Sequence, residues 1–212
     1  YAMRRIIRSI VEVVAPGGTD RLVDIIYQKR RLNRGPSVVV IGGGTGLSTL
    51  LRGLKVRSSN LTAIVTVADD GGSSGRLRQD LGIVPPGDLR SCLVALADTE
   101  PLMEKLFQYR FAGEGDLAGH SFGNLFIAAM TQVVGGDIEQ ALQQSSKVLA
   151  VRGHVLPSAN CSVRLSAEMD DGSIVHGEST IPLSGKSIRR VMIEPADVSA
   201  VKAAVEAILE AD

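Results

Sequence analysis

"VVVIGGGTGLSTLLRGL" (residues 38–54) decides how the chain is read. Ser37–Ile41 is a short run rich in β-branched residues, bounded by Pro36 and Gly42. Such a run reads as a buried parallel strand. Of the five residues that follow, Gly42–Gly46, four are glycine and the other is Thr45. A helix is predicted from about Gly46 to Leu54. A second apolar run, "LTAIVTV" (61–67), completes a β-α-β unit. Its crossover is right-handed and its strands are parallel.

A strand, a glycine loop and a helix start make an anion site. The helix N-terminus leaves backbone N–H groups free and carries about half a positive charge. Glycine lets a phosphate come close to those groups, and Thr45 or Ser48 adds a hydroxyl. Tight strand-to-helix packing would also favour glycine, but four in five positions exceed that need. Gly46 is followed by Leu47-Ser48 rather than Lys-Ser/Thr, which excludes a Walker motif. The dinucleotide pattern G-x-G-x-x-G fails at its third glycine, where Leu47 stands, and this counts against an NAD-dependent oxidoreductase. The acid expected after the second strand is present as Asp69 and Asp70. The expected class is therefore α/β, a Rossmann-like three-layer fold with a parallel sheet.

"ADDGGSSGRLRQDLG" (68–82) reads as a loop. Asp69 and Asp70 could hold a ribose or a metal. Gly72, Ser73 and Ser74 could form a nest for an anion, with Arg76 and Arg78 as a phosphate clamp. A flexible, solvated loop is the plainer alternative. "VPPGDLRSCLVALAD" (84–98) reads as a turn and a helix capped by Asp88. Residues 100–111 and 137–150 are predicted helices. In "GHSFGN" (119–124), Ser121 could be only an N-cap and His120 a surface residue. Together with Asn124 they could instead read a sugar or base. Adjacent Ser and His rarely face each other, so hydrolase chemistry is disfavoured.

From 161 the texture alternates, with Asp171-Gly172 as a hairpin signal. A strand near 188–193 is expected to join it, which makes 151–194 a β-rich insertion. His154 and His176 there read as structural. "DVSAVKAAVEAILEAD" (197–212) is a predicted helix with Val198, Val201, Val205, Ile208 and Leu209 on one side. Such a helix usually leads to another strand, so the fold is expected to lack its C-terminal portion.

The chain has 212 residues, 44% of them apolar and 22% charged, enough for one substantial core. Aromatic residues are 3%, which argues against a base-stacking platform for single-stranded nucleic acid. Net charge is zero, but residues 1–36 hold eight Lys/Arg against three Asp/Glu. The body is no general nucleic-acid binder. The basic residues 1–35 read as an N-terminal extension of two short helices, over 3–14 and from 19 or 20 to about Leu32. It would dock on the domain at 36–212 or meet a membrane surface or partner. Cys92 and Cys161 are too few and too distant for a metal site or disulfide framework, and no run spans a bilayer.

"IGGGTGLSTLLRGLK", "AIVTVADDGGSSGRLRQDLGIVPPGDLRSCLVALA", "LFQYRF", "GHSFGNLFIAAMT" and "SKVLAVRGHVLP" resemble the bacterial gluconeogenesis factor (YvcK-like) family, within the 2-phospho-L-lactate transferase superfamily. The resemblance implies a cytosolic, nucleotide-sugar-binding regulatory protein that takes UDP-sugars such as UDP-N-acetylglucosamine. It would link carbon metabolism to cell-wall synthesis and cell shape through envelope-synthesis proteins. NAD is a further possible ligand, no cofactor or metal is required, and a homo-oligomer is the expected assembly. Gly42, Gly43, Gly44, Thr45 and Gly46 match the first phosphate loop of the family. Asp69 and Asp70, with Gly71–Gly75, match its second signature. His120, Ser121 and Asn124 match the third. The alternative is a phospholactyl or phosphoryl transferase in which Asp69 and Asp70 hold Mg²⁺ or activate an acceptor hydroxyl. The family usually continues past "AILEAD" into a strand and a further glycine-rich segment, which this chain does not contain.

Overall fold

Three parallel strands organise the molecule, seen in a computed structural model that describes residues 19–98 and 101–212. Strand β1 (Val38–Gly42) pairs with β2 (Leu61–Val65) in register from Val38 opposite Leu61 to Gly42 opposite Val65. On the other side β2 pairs with β3 (His154–Pro157). Between β1 and β2 runs helix α2 (Gly44–Leu54). The helix expected over residues 3–14 lies outside the described residues. The second predicted helix of the extension is present as α1 (Thr19–Asn33).

Side-chain alternation along β2 sorts the layers. Leu61, Ala63 and Val65 point to one face, joining Val155 of β3 in the main core. Helices α2, α4 (Gly87–Leu96), α6 (Phe122–Val133) and α7 (Ile138–Val148) bury Leu51, Leu89, Leu93, Ile127 and Leu142 in the same cluster. Ile64 points the other way. There it meets Val201 and Ala204, with Val39 and Leu156 alongside. Val201 and Ala204 belong to the start of α8 (Lys202–Leu209). Helices on both faces of a parallel sheet make the expected three layers. Helix α8 is shorter than the predicted 197–212, and it is not buried by its whole apolar stripe. Val205, Ile208 and Leu209 are exposed because only Val201 and Ala204 reach the sheet.

Residues 68–82 are not a loop. They contain α3 (Gly72–Leu81), closed by Gly82 in the left-handed region at φ 65°. Glycine and serine are poor helix formers, so this helix owes its existence to packing. Ser73, Ser74 and Gly75 are buried, and a Cβ on Gly75 would strike the Asp70 carbonyl oxygen. Leu77 packs with Ile83 and Ala128.

Within 151–194 two kinds of sheet divide the chain. His154–Pro157 completes the parallel sheet. The antiparallel sheet begins at β4 (Arg164–Met169), flanked by β5 (Ile174–His176) and β6 (Ile188–Glu194). The hairpin signal at Asp171-Gly172 does mark the β4–β5 turn, with Gly172 at φ 81°. A hydrogen bond ties the small sheet to the body, in which Asp70 Oδ1 accepts from the Ser179 backbone N–H at 2.9 Å. Gly177, at φ 97°, leaves room for that same carboxylate. Among the described residues no helix is long and apolar enough to cross a membrane.

Because the Gly75 position faces backbone rather than a yielding side chain, Gly75→Ala should destabilise the chain by about 1–3 kcal/mol, the usual range for overpacking. Urea unfolding followed by circular dichroism measures this.

Candidate functional site

Ligands of open α/β sheets bind outside the carboxyl ends of the strands. Here a cleft of about 460 Å³ opens there, walled by Gly43, Gly44, Thr66, Asp69, Asp88 and Glu178. Gly43 has no room for a side chain, since a Cβ would lie 2.7 Å from Asp88 Oδ2 and would strike Thr66 Oγ1. Gly44 enters α2 at φ 67°, a conformation that suits glycine. Its N–H does not point at open solvent. It donates to Asp88 Oδ2 at 2.6 Å.

That bond corrects the sequence reading of Asp88. The residue at the N-cap of α4 is Pro86, which makes no side-chain cap bond, and Asp88 sits in the first turn. Its carboxylate instead spans to the N-terminus of α2, where a positive dipole end favours an anion. Burial raises the Asp88 pKa above the ordinary carboxylate range, the Gly44 N–H opposes this, and the charge of Asp69 adds to the rise. Glu178 is raised by burial, then by Asp69, Asp88 and Asp70. Four carboxylates thus repel one another around the cleft. Among the described residues no three His, Cys, Asp or Glu side chains converge closely enough to hold a metal ion as they stand.

Each residue singled out in the sequence has a definite place. Gly43, Gly44 and Asp69 line the acidic cleft. Asp69 Oδ1 also accepts from the Gly71 N–H at 2.9 Å. Asp70 anchors the antiparallel sheet. Gly42 closes β1, its carbonyl accepting from the Thr66 N–H at 2.8 Å. Thr45 turns to a different cavity, on the far side of the loop, and around Gly46 the space is open. Gly72 opens α3 at φ 49°. Ser74 Oγ occupies the space that a side chain at Gly87 would need. Arg76 donates to the Ala118 carbonyl at 2.5 Å, and Arg78 is buried, donating to the Ala68 carbonyl at 3.4 Å.

The third signature is a buried network beside the cleft rather than part of its wall. Ser121 caps α6, accepting from the Asn124 N–H at 3.1 Å. Asn124 Nδ2 donates to Ser73 Oγ at 3.0 Å, and Ser73 Oγ lies 3.0 Å from His120 Nδ1. In the Ser73–His120 bond either atom can be the donor, according to the ring tautomer. Burial lowers the His120 pKa, and Arg76 lowers it further. Asn124 Oδ1 is buried without a partner. So the serine that meets His120 is Ser73, 47 residues away, and not its neighbour Ser121.

Thr66, Asp88, Glu178 and Ser179 complete the cleft wall and were not singled out as ligand groups. Asp88 had a visible signal, an acid two residues after the proline pair, but it was indistinguishable from a cap. Glu178 had none, because the segment after β5 that carries it reaches the cleft through tertiary contacts such as the Asp70–Ser179 bond. Of the two free thiols, Cys161 is exposed and Cys92 is buried, and burial pushes the Cys92 thiol up to about 12, where it is inert.

A parallel sheet with helices on both faces and a glycine loop at its carboxyl end defines a Rossmann-like α/β fold. The family model described as 2-phospho-L-lactate transferase CofD matches residues 38–212, and the chain belongs to that family. Its relatives include the gluconeogenesis factor of Bacillus subtilis (strain 168), 58% identical over 177 residues, covering 84% of this chain and 56% of that protein. The gluconeogenesis factor of Halalkalibacterium halodurans is 57% identical over 176 residues, covering 83% of this chain and 54% of that protein. A relative from Nostoc sp. (strain PCC 7120) is 58% identical over 212 residues, covering 100% of this chain and 46% of its own length. A crystal structure of a Bacillus halodurans protein superposes with a TM-score of 0.81 at 57% identity, covering 84% of this chain and 57% of that one. The chain spans about half the length of the curated relatives it matches. The family agrees with the resemblance read from the motifs.

Because the native His120 pKa lies below 6.5, the unfolded chain binds more protons between the two values. Stability should therefore rise with pH through that window and fall as the pH drops below 6.5. Comparing thermal melts between pH 5 and pH 7, His120→Gln should show a smaller pH dependence than the parent chain.

Proposed function

We propose that this chain is the nucleotide-sugar-binding core of a regulatory protein of the gluconeogenesis factor type. Its ligand would be of the UDP-N-acetylglucosamine kind, and its output a link between carbon supply and cell-wall synthesis in the cytosol. The observation that supports this best is the cleft at the carboxyl ends of β1 and β2, lined by Gly43 and Gly44 beside Asp69. On this reading Asp69 accepts from ribose or sugar hydroxyls, as the acid after the second strand does in nucleotide-binding sheets. The Ser73–His120–Asn124 network holds α3 and α6 together behind it. Envelope-synthesis partners, NAD as a second ligand and self-association belong to the same reading.

In calorimetric titration the chain should bind UDP-N-acetylglucosamine without added metal. Binding should be lost in Gly44→Val, which removes the positive-φ glycine, and weakened about tenfold in Asp69→Asn, the scale of one hydrogen bond to a charged group. Wild-type affinity in Asp69→Asn would overturn the ribose assignment. Thermal melts of both variants separate loss of binding from loss of fold.

A metal-dependent phospholactyl or phosphoryl transferase is the second reading, and one observation favours it. Asp69, Asp88 and Glu178 present hard oxygen donors of the kind Mg²⁺ takes, and their mutual repulsion would be relieved by a cation. These residues fit such an ion in donor type. When bound it would stabilise charge on transferred phosphoryl oxygens. Asp88 would hold its position through the Gly44 N–H, and Asp69 or Asp70 would orient or deprotonate an acceptor hydroxyl. On this reading Mg²⁺ raises the melting temperature of the parent chain and not that of Glu178→Gln. Equal shifts in both, with no product formed from a nucleotide-activated phosphate, would count against it.

A further inference from the structure

The acidic cleft occupies one side of the glycine loop. The other side is basic. Arg52 of α2, Arg90 of α4 and Arg110, just after α5 (Pro101–Gln108), line one cavity of about 280 Å³ together with the hydroxyls of Thr45, Ser48 and Ser91. No carboxylate side chain forms part of its wall among the described residues.

The cations are held there by the fold. Gly123 has no side chain, and a Cβ there would lie 2.7 Å from Arg90 Cδ and 2.6 Å from the Phe107 carbonyl oxygen. The stem of Arg90 fills that space. Its Nη2 donates to Ser91 Oγ at 3.2 Å, and its Nε is buried with no partner. Arg110 is set by an isolated antiparallel bridge to Ser121, and its Nη1 donates to the Gly119 carbonyl at 3.0 Å. Among the described residues neither Arg90 nor Arg110 forms an ion pair, while Arg52 has a long one to Glu104 at 3.5 Å. Burial lowers the Arg90 pKa and the nearby charge of Arg110 lowers it further, with Asp88 opposing. A buried orphan N–H and two like charges are costly unless something negative completes them.

The missing partner must be an anion with several acceptor oxygens. Guanidinium groups match phosphate oxygens in pairs, and the Thr45 hydroxyl adds a donor, while those of Ser48 and Ser91 donate to the Thr45 and Gly87 carbonyls. The cavity also borders the first turn of α2, whose dipole favours negative charge. On the cleft side of the loop, by contrast, the Gly44 N–H is already taken by Asp88, and further carboxylates repel phosphate.

We propose that the Arg52–Arg90–Arg110 cavity is the phosphoryl site of this chain, receiving the diphosphate of a nucleotide-type ligand whose hydroxyl-bearing part faces the acidic cleft. The identity of the rest of that ligand rests on the nucleotide-sugar reading. The anion site does not.

The test is calorimetric titration of the chain with inorganic pyrophosphate, and with orthophosphate for comparison, in the absence of divalent metal. Pyrophosphate should bind the parent chain and lose about tenfold or more in Arg90→Gln and in Arg110→Gln, the scale of a charge-assisted hydrogen bond. Arg110 is exposed, so its variant keeps the core intact and carries the decision if Arg90→Gln fails to fold. Arg189→Gln, on the remote antiparallel sheet, should bind as the parent does. No binding, or an equal loss in Arg189→Gln, overturns the proposal. UDP-N-acetylglucosamine is then titrated into Arg110→Gln. Unchanged affinity there would overturn the phosphoryl site and leave the nucleotide-sugar reading standing. Arginine-dependent pyrophosphate binding without any UDP-sugar binding supports the site and removes that reading.

Discussion

The bond from the Gly44 N–H to Asp88 Oδ2, at 2.6 Å, sets the geometry on which the candidate site depends. It joins the entry of α2 to the first turn of α4, across 44 residues of sequence. A carboxylate at a helix N-terminus satisfies an otherwise orphaned donor and meets the positive end of the dipole. Because the contact is so short, Gly43 must lack a side chain, and Thr66 closes in behind it. The bond therefore fixes where the strand ends stop, where α2 begins and how α4 approaches the sheet. The two cavities lie on either side of it.

Helix α4 supplies both walls. Asp88 and Arg90 are two residues apart, and residues at that spacing do not face each other on a helix. One carboxylate therefore lines the acidic cleft while the guanidinium turns into the basic cavity. The chain as a whole has 23 basic and 23 acidic residues. That balance conceals a local separation of charge across a few residues of backbone, which suits a ligand carrying phosphates at one part and hydroxyls or a cation at another.

The glycines divide by role in a way that composition does not reveal. Gly44 and Gly72 take left-handed backbone at helix starts. Gly75, Gly87 and Gly123 instead make room, for the Asp70 carbonyl, the Ser74 hydroxyl and the Arg90 stem respectively. Much of what reads as a flexible glycine-serine loop is a helix pressed tightly against its surroundings.

The parallel sheet, its crossover helix and the position of the glycine loop were legible in residues 38–67, because an apolar run bounded by glycine and proline leaves few alternatives for backbone pairing. The N-cap at Ser121 was legible for the same local reason. Helix α3 was not, since its residues have weak helix propensity and only burial against α6 makes it pay. The partner of His120 was not either, because Ser73 is brought to it by the packing of two helices distant in sequence. Asp88 and Glu178 looked like a cap and a hairpin residue until the fold carried them to the same cleft. The sequence by itself determined which segments pair, turn and bury, as those follow from local pattern. Which charges meet was decided only by the tertiary structure, because electrostatic neighbours are set by distance in space and not by spacing along the chain.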